Sequence, residues 1–228
     1  MARLFDRNFW VRLMSGVILL PLVIYILYVG ESALSVALAV AGIIMMYEWI
    51  RIVWADRDFA SRFLWIWIGL VWVGLPLLAI GMLRQLSFGE VMFPLLLIWL
   101  TDTMAYVGGR LLGGRKMAPS ISPGKTWSGA ITGFLCAAVF SAIWHYPWVC
   151  IECDADAKSY ILYYSAMGAL LSIISQISDL LESKFKRHFG VKDSGKIIPG
   201  HGGLLDRTDS LVLTLPAYLF FVMYTYAG

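Results

Sequence analysis

Charge is scarce in this chain. Only 14% of its 228 residues are Asp, Glu, Lys or Arg, against about 25% in soluble domains. No hydrophilic stretch is long enough to fold by itself, which excludes a separate water-soluble domain. Cysteine is nearly absent, with three in all. Cys136 falls in an apolar run and reads as a small core residue. Cys150 and Cys153 form a lone C-x-x-C, and no second pair or neighbouring histidine completes a zinc site, so a disulfide or two free thiols is expected there. Internal repeats and low-complexity tracts are also missing, which excludes a repeat array.

Apolar residues are abundant instead. They make up 60% of the chain, mean hydropathy is +0.75, and 12 Phe, 11 Tyr and 10 Trp supply side chains suited to lipid and its interfaces. A membrane-spanning helix needs about 20 mostly apolar residues. Seven segments qualify, roughly 13–30, 33–54, 63–83, 91–112, 128–149, 160–182 and 210–227. The expectation is an all-α polytopic membrane protein forming a single integral domain over 1–228. Its N-terminal spans cover about 13–83 and its catalytic part about 91–228. The first apolar run exceeds a signal-peptide core and no A-x-A-like cleavage site follows, so it reads as a retained span. The third span is uniformly apolar and is expected to face lipid.

Seven spans place all but Arg84 and Lys158 of the 18 basic residues on the side of the N-terminus. The positive-inside rule makes that side cytoplasmic. Both long polar segments, 110–127 and 183–209, lie there. A transporter would concentrate polar groups near the bilayer midplane; here they gather at one face.

Three acids interrupt the apolar helices. A carboxylate at the bilayer centre costs about 2.5–3.5 kcal/mol on insertion scales and so has a partner or a task. Glu48, near a helix end, is read as a hydrogen-bonder that holds helices together. Asp102, Tyr106 and Arg110 recur at four-residue steps on one face. Ser172, Ser175, Gln176, Asp179, Ser183 and Lys186 form a polar stripe at spacings of three and four, which should point into protein or water. Asp179 lies one turn from a basic, glycine-rich segment and is the acid most suited to chemistry.

Two stretches imitate a phosphate-binding P-loop. "GVKDSGKI" ends in Ile197 where magnesium needs a hydroxyl, and "PSISPGKT" has Pro119 at the first glycine position. Neither is a Walker motif. Positive-inside bias explains their Lys and Arg, but not Asp193, Asp206 and Asp209 among them. Aspartates mixed into a basic, glycine-rich segment suit a metal-bridged polyphosphate, because magnesium takes one or two carboxylates plus phosphate oxygens while Lys and Arg neutralise the rest. Asp206 and Asp209 share a face if their segment is helical. Pro199 and Gly200 suggest a turn before His201, which reads equally as a structural hydrogen-bonder or a phosphate contact.

"SKFKRHFGVKDSGKIIPGHGGLLDRTD", Ser183 to Asp209, resembles the signature of the phosphatidate cytidylyltransferases, the CDP-diacylglycerol synthases, at every position of that pattern. "DTMAYVGGRLLGGRKMAPSISPGKTWSGAITG", Asp102 to Gly133, is similar to the family's central block, with Ser128 before Gly129 where the family more often has Glu. The resemblance implies that phosphatidate attacks the α-phosphorus of CTP, giving CDP-diacylglycerol and pyrophosphate. It implies Asp179, Lys192, Asp206 and Asp209 as catalytic, with magnesium on Asp179, Asp206 and Asp209 and room for a second cation. Lys192, Arg207 and His201 would contact the CTP phosphates. Lys184, Lys186 and Arg187, beside Ser183, would take the lipid headgroup. Ser122, Lys125 and Thr126 would close the site. The implied partners are CTP, phosphatidate and membrane lipid, with a homodimer as candidate assembly and no nucleic acid. The implied location is the cell inner membrane, with the active site facing the cytoplasm. A CTP-dependent lipid-alcohol kinase would release CDP instead of pyrophosphate, and a transporter would consume no CTP.

Overall fold

The structure, a computed structural model, describes residues 7–152, 157–198, 200 and 202–227. In lipid the backbone must satisfy its own hydrogen bonds, and apolar runs of spanning length do so as helices. Four come first: α1 (Arg7–Val29), α2 (Glu31–Val53), α3 (Phe59–Leu86) and α4 (Phe88–Leu112). An antiparallel hairpin follows, β1 (Lys116–Ala118) and β2 (Ser122–Thr126). The chain then runs through α5 (Trp127–Glu152), α6 (Ala157–His188), the single turn α7 (Leu205–Thr208) and α8 (Leu211–Ala227).

Among the described residues, 6 helical stretches are long and apolar enough to cross a membrane. The expected first span is α1, whose described apolar part, Val17–Val29, is shorter. The polytopic all-α architecture is thus as the sequence leads one to expect. Two features differ from the sequence reading. The long polar segment 110–127, read as a loop, contains the hairpin. The sixth span runs on to His188 instead of ending near 182. Cys150 and Cys153 lie where side chains are outside the described residues; Cys136 is a half-buried free thiol.

Side-chain caps set the helix starts. Asp58 accepts from Ser61 N–H at 2.9 Å ahead of α3, and Ser87 accepts from Glu90 N–H at 3.0 Å ahead of α4. Thr126 does the same for α5, its hydroxyl accepting from Gly129 N–H at 3.2 Å. Helix α4 stops at Gly113, whose φ of +63° ordinary side chains avoid.

Helices α4, α5 and α6 pack most intimately. A Cβ at Gly129 would strike the Ala105 carbonyl, and one at Gly133 would lie 2.9 Å from the Thr101 carbonyl, so glycine brings α5 against α4. Gly168 does likewise for α6 against Ser141 and Ala137. Small residues are what allow such approach between membrane helices, where apolar surface gains little by leaving lipid. One core gathers Phe93, Leu97, Leu171, Leu215 and Tyr218; a second gathers Met45, Trp49, Ile52, Val73, Phe185 and Leu205. The third span leaves one face exposed, Phe63, Leu64, Trp67, Leu70, Val71 and Leu78, while Gly69, Val73, Pro76, Ala79 and Leu83 are buried.

The alternation of helices collects the polar segments at one end of the bundle. Arg51 on α2 donates to the Ser194 carbonyl at 2.7 Å, and Arg187 on α6 donates to the hairpin carbonyl of Ile121 at 3.3 Å. A two-stranded hairpin is marginal alone. This one is anchored also by Trp127 N–H to the Arg115 carbonyl at 3.1 Å.

Candidate active site

A cleft of about 490 Å³ opens where the C-terminal half of α4, the hairpin, the start of α5 and the polar stripe of α6 meet. Asp102, Tyr106 and Arg110 enter it from α4, Lys116 and Lys125 from the hairpin, and Gln176 and Asp179 from α6. The four-residue spacing on α4 brings Arg110 to 2.9 Å from the Tyr106 hydroxyl, to which it donates. The α6 stripe points inward as its period requires: Ser172, Ser175 and Lys186 are buried, whereas Ile173, Ile177 and Leu181 are exposed on the opposite face.

Asp179 and Lys125 pair at 2.6 Å across the cleft, their side chains 22% and 25% exposed. Ser183 donates to the other Asp179 oxygen at 3.2 Å. Beside them, Ser210 N–H donates to Asp209 Oδ1 at 2.8 Å, and the Ser210 hydroxyl lies 3.5 Å from Asp102 Oδ2. Asp102, Asp179 and Asp209 stand close enough to feel one another's charge. Thr126 is buried at the cleft wall, its hydroxyl 3.1 Å from that of Ser128. Ser128 also donates to the Gly113 carbonyl and so ties α5 to the end of α4.

The signature segment begins as helix. Ser183 to His188 extend α6, with Phe185 and Lys186 turned inward and Lys184 and Arg187 exposed. Gly190, at φ +69°, ends the helix; its N–H reaches the Arg187 carbonyl and the Val191 N–H the Lys186 carbonyl, the wrap that glycine allows at a helix C-terminus. The loop then returns through an isolated bridge, Ile198 N–H to the Gly202 carbonyl at 2.9 Å. Gly200 and Gly202 both have positive φ.

Asp206 closes this loop. It accepts from Lys186 Nζ at 2.7 Å, from Ser194 N–H at 2.9 Å and from Gly203 N–H at 2.9 Å. Lys186 also meets Glu182 Oε1 at 3.1 Å, and its side chain is only 8% exposed. The sequence reading put Lys186 at the lipid headgroup; the structure puts its ammonium on Asp206 and Glu182. Glu182 itself, absent from that reading, is fully buried and its Oε2 has no hydrogen-bond partner. Its signal in the sequence is positional: it lies three residues after Asp179 and four before Lys186. Lys184, Lys192 and Arg207 are exposed and do not line the cleft; Ser122 opens β2. His201 and Pro199 lie outside the described residues.

The donor chemistry fits magnesium. Asp179 offers hard oxygens beside the cationic Lys125, with Asp209 near enough to Asp179 to feel its charge, and magnesium needs only one or two carboxylates when phosphates supply the remaining ligands. Among the described residues no three His, Cys, Asp or Glu side chains converge on one point. Asp206 could join the pair only by releasing Lys186.

The family model of the cytidylyltransferase family matches residues 61–225; Glu48 and Arg51 precede that stretch. The chain is 35% identical over 222 residues to the phosphatidate cytidylyltransferase of Rickettsia felis, covering 95% of this chain and 92% of that protein. It is 37% identical over 218 residues to the protein of the same name from Rickettsia bellii, covering 94% and 90%. A phosphatidate cytidylyltransferase of Staphylococcus saprophyticus is 40% identical over 149 residues, covering 65% of this chain and 55% of that protein.

Proposed function

The chain belongs to the cytidylyltransferase family, and from that premise we propose that it transfers CMP from CTP to phosphatidate, forming CDP-diacylglycerol and pyrophosphate. The observation that carries this reading is the Lys125–Asp179 pair in a cleft lined by Arg110 and Lys116 at one end of a membrane bundle. One substrate dissolves in lipid and the other in water, and both are anions. A site serving both belongs at an interface, with cations to reduce their repulsion and carboxylates to hold a metal.

Lys125 and Asp179 suit such exchange. Both side chains open partly onto the cleft, so a phosphate can take Lys125 in place of Asp179 and leave the carboxylate open. Asp179 and Asp209 would hold magnesium, which when bound neutralises polyphosphate charge and orients the α-phosphate. Lys125, Lys116 and Arg110 line up around the triphosphate with charge-assisted hydrogen bonds. Lys184 and Arg187, exposed at the end of α6, meet the phosphatidate headgroup. A phosphatidate oxygen then forms a bond to the α-phosphorus as the bond to pyrophosphate breaks. The nucleophile is already ionised, so no side chain need remove a proton, and catalysis is positioning and charge neutralisation. The bias of Lys and Arg supports an inner-membrane location with the cleft facing the cytoplasm.

The test is incubation of purified protein with CTP, magnesium and phosphatidate. Pyrophosphate and CDP-diacylglycerol should form in equal amounts; CTP left intact rejects the reading.

A further inference from the structure

Glu48 lies on α2, 1% exposed. Its two carboxylate oxygens reach both ends of the signature loop. Oε2 accepts from the Ser194 hydroxyl at 3.0 Å and from Leu205 N–H at 2.9 Å; Oε1 accepts from Leu204 N–H at 3.2 Å. The loop carries glycine where Glu48 approaches: a Cβ at Gly195 or Gly203 would strike its carboxylate. Ser194 is held three ways, since its N–H donates to Asp206 and its carbonyl accepts from Arg51, one turn beyond Glu48 on the same helix. Trp49, next to Glu48, stacks on Phe185 of α6 at 3.9 Å between ring centroids and 7° between planes. Helix α2 therefore grips the signature segment at its helical start and at both loop ends.

A carboxylate buried this deeply is costly unless hydrogen-bonded. A helix tie would satisfy it with one neighbouring helix, but these three donors lie at the two ends of the loop, Ser194 at one and Leu204–Leu205, where the chain enters α7, at the other. Leu205 opens the single turn α7, and Asp209 stands at the end of that turn.

We infer that Glu48 is a positioning residue for cytidylyl transfer: it staples the Ser194 and Leu204–Leu205 ends of the loop and so fixes the turn of α7 that leads into Asp209, the carboxylate near Asp179. The inference rests on the proposed reaction. Glu48→Gln places an amide NH₂ against a loop donor and breaks the staple on one side. Misplacement by about 1 Å can lower turnover about 10²-fold.

The experiment measures steady-state rates, thermal midpoint and amide exchange in the full-length detergent-solubilised protein. Glu48→Gln is expected to lower kcat about 10²-fold. It should change KM for CTP and phosphatidate less than about threefold, leave the midpoint within a few degrees, and speed amide exchange at Leu204 and Leu205. Adding Ser194→Ala should cost little more, because both changes act on one contact. A merely structural Glu48 would lower the midpoint while folded molecules kept wild-type kcat, and that result overturns the proposal, as do losses that multiply in the double variant. Gly195→Ala pushes the loop off Glu48 and leaves α2 intact; it replaces Glu48→Gln if that variant does not fold, and wild-type kcat there is equally contrary. Should the wild-type protein make no CDP-diacylglycerol, the activity reading fails by itself. Exchange at Leu204 and Leu205 still judges the staple, and unchanged rates in Glu48→Gln reject it.

Discussion

Two aspartates of the signature region stand in different surroundings, and their variants should part accordingly. Asp179 is 22% exposed on its side chain and pairs with Lys125 at the cleft, whereas Asp206 is nearly enclosed, with a lysine and two N–H groups on its oxygens. Asp179→Asn should abolish magnesium-dependent turnover, a loss of several kcal/mol of transition-state stabilisation, with the thermal midpoint near wild type. Asp206→Asn should lower both, because it leaves Lys186 buried without one of its two carboxylates, and breaking a buried pair costs about 3–5 kcal/mol. Parallel midpoint and turnover measurements check the contrast; equal midpoints for the two variants would contradict it. The sequence made Asp179 legible through its polar stripe and its nearness to the basic segment. It gave no hint that Lys186 turns inward, because three neighbouring basic residues, Lys184, Lys186 and Arg187, look alike until the helix phase is known. Glu48 looked like a helix tie because its partners lie 146 to 157 residues away.

At the scale of elements, the cleft depends on how closely α4 and α5 approach. Gly129 lies against the Ala105 carbonyl and 3.1 Å, at its would-be Cβ, from the Thr126 hydroxyl that caps α5. Gly129→Ala must part the two helices or shift the cap. Overpacking of this kind costs about 1–3 kcal/mol, read as a lowered thermal midpoint, and turnover should fall with it because Lys125 and Thr126 move relative to Asp179. An unchanged midpoint would mean that the seam is looser than the geometry indicates. Hydropathy exposed most of these helices in the sequence, since spanning length is a strong constraint. The hairpin stayed hidden: β1 has 3 residues and β2 has 5, rich in Pro, Gly and Ser, too short for a strand period to emerge. The last turns of α6 were hidden by their charge, although Phe185 keeps the inward phase and stacks on Trp49.

For the whole molecule, the bundle carries its polar segments at one end, and the distribution of Lys and Arg predicts that this end faces the cytoplasm. A single cysteine placed at exposed Asp193 should react with a membrane-impermeant thiol reagent only after the membrane is opened, and one at exposed Ser87, at the other end of α3, should react from outside. The reverse pattern would invert the topology and put the cleft away from cytosolic CTP. The central claim concerns which phosphorus is attacked. The most direct measurement follows CTP labelled at the α-phosphate and, separately, at the γ-phosphate, with phosphatidate vesicles and magnesium. The account predicts that the α label enters the lipid and the γ label leaves as pyrophosphate, and that both transfers vanish in Asp179→Asn. A γ label appearing in the lipid, with CDP released, would contradict it.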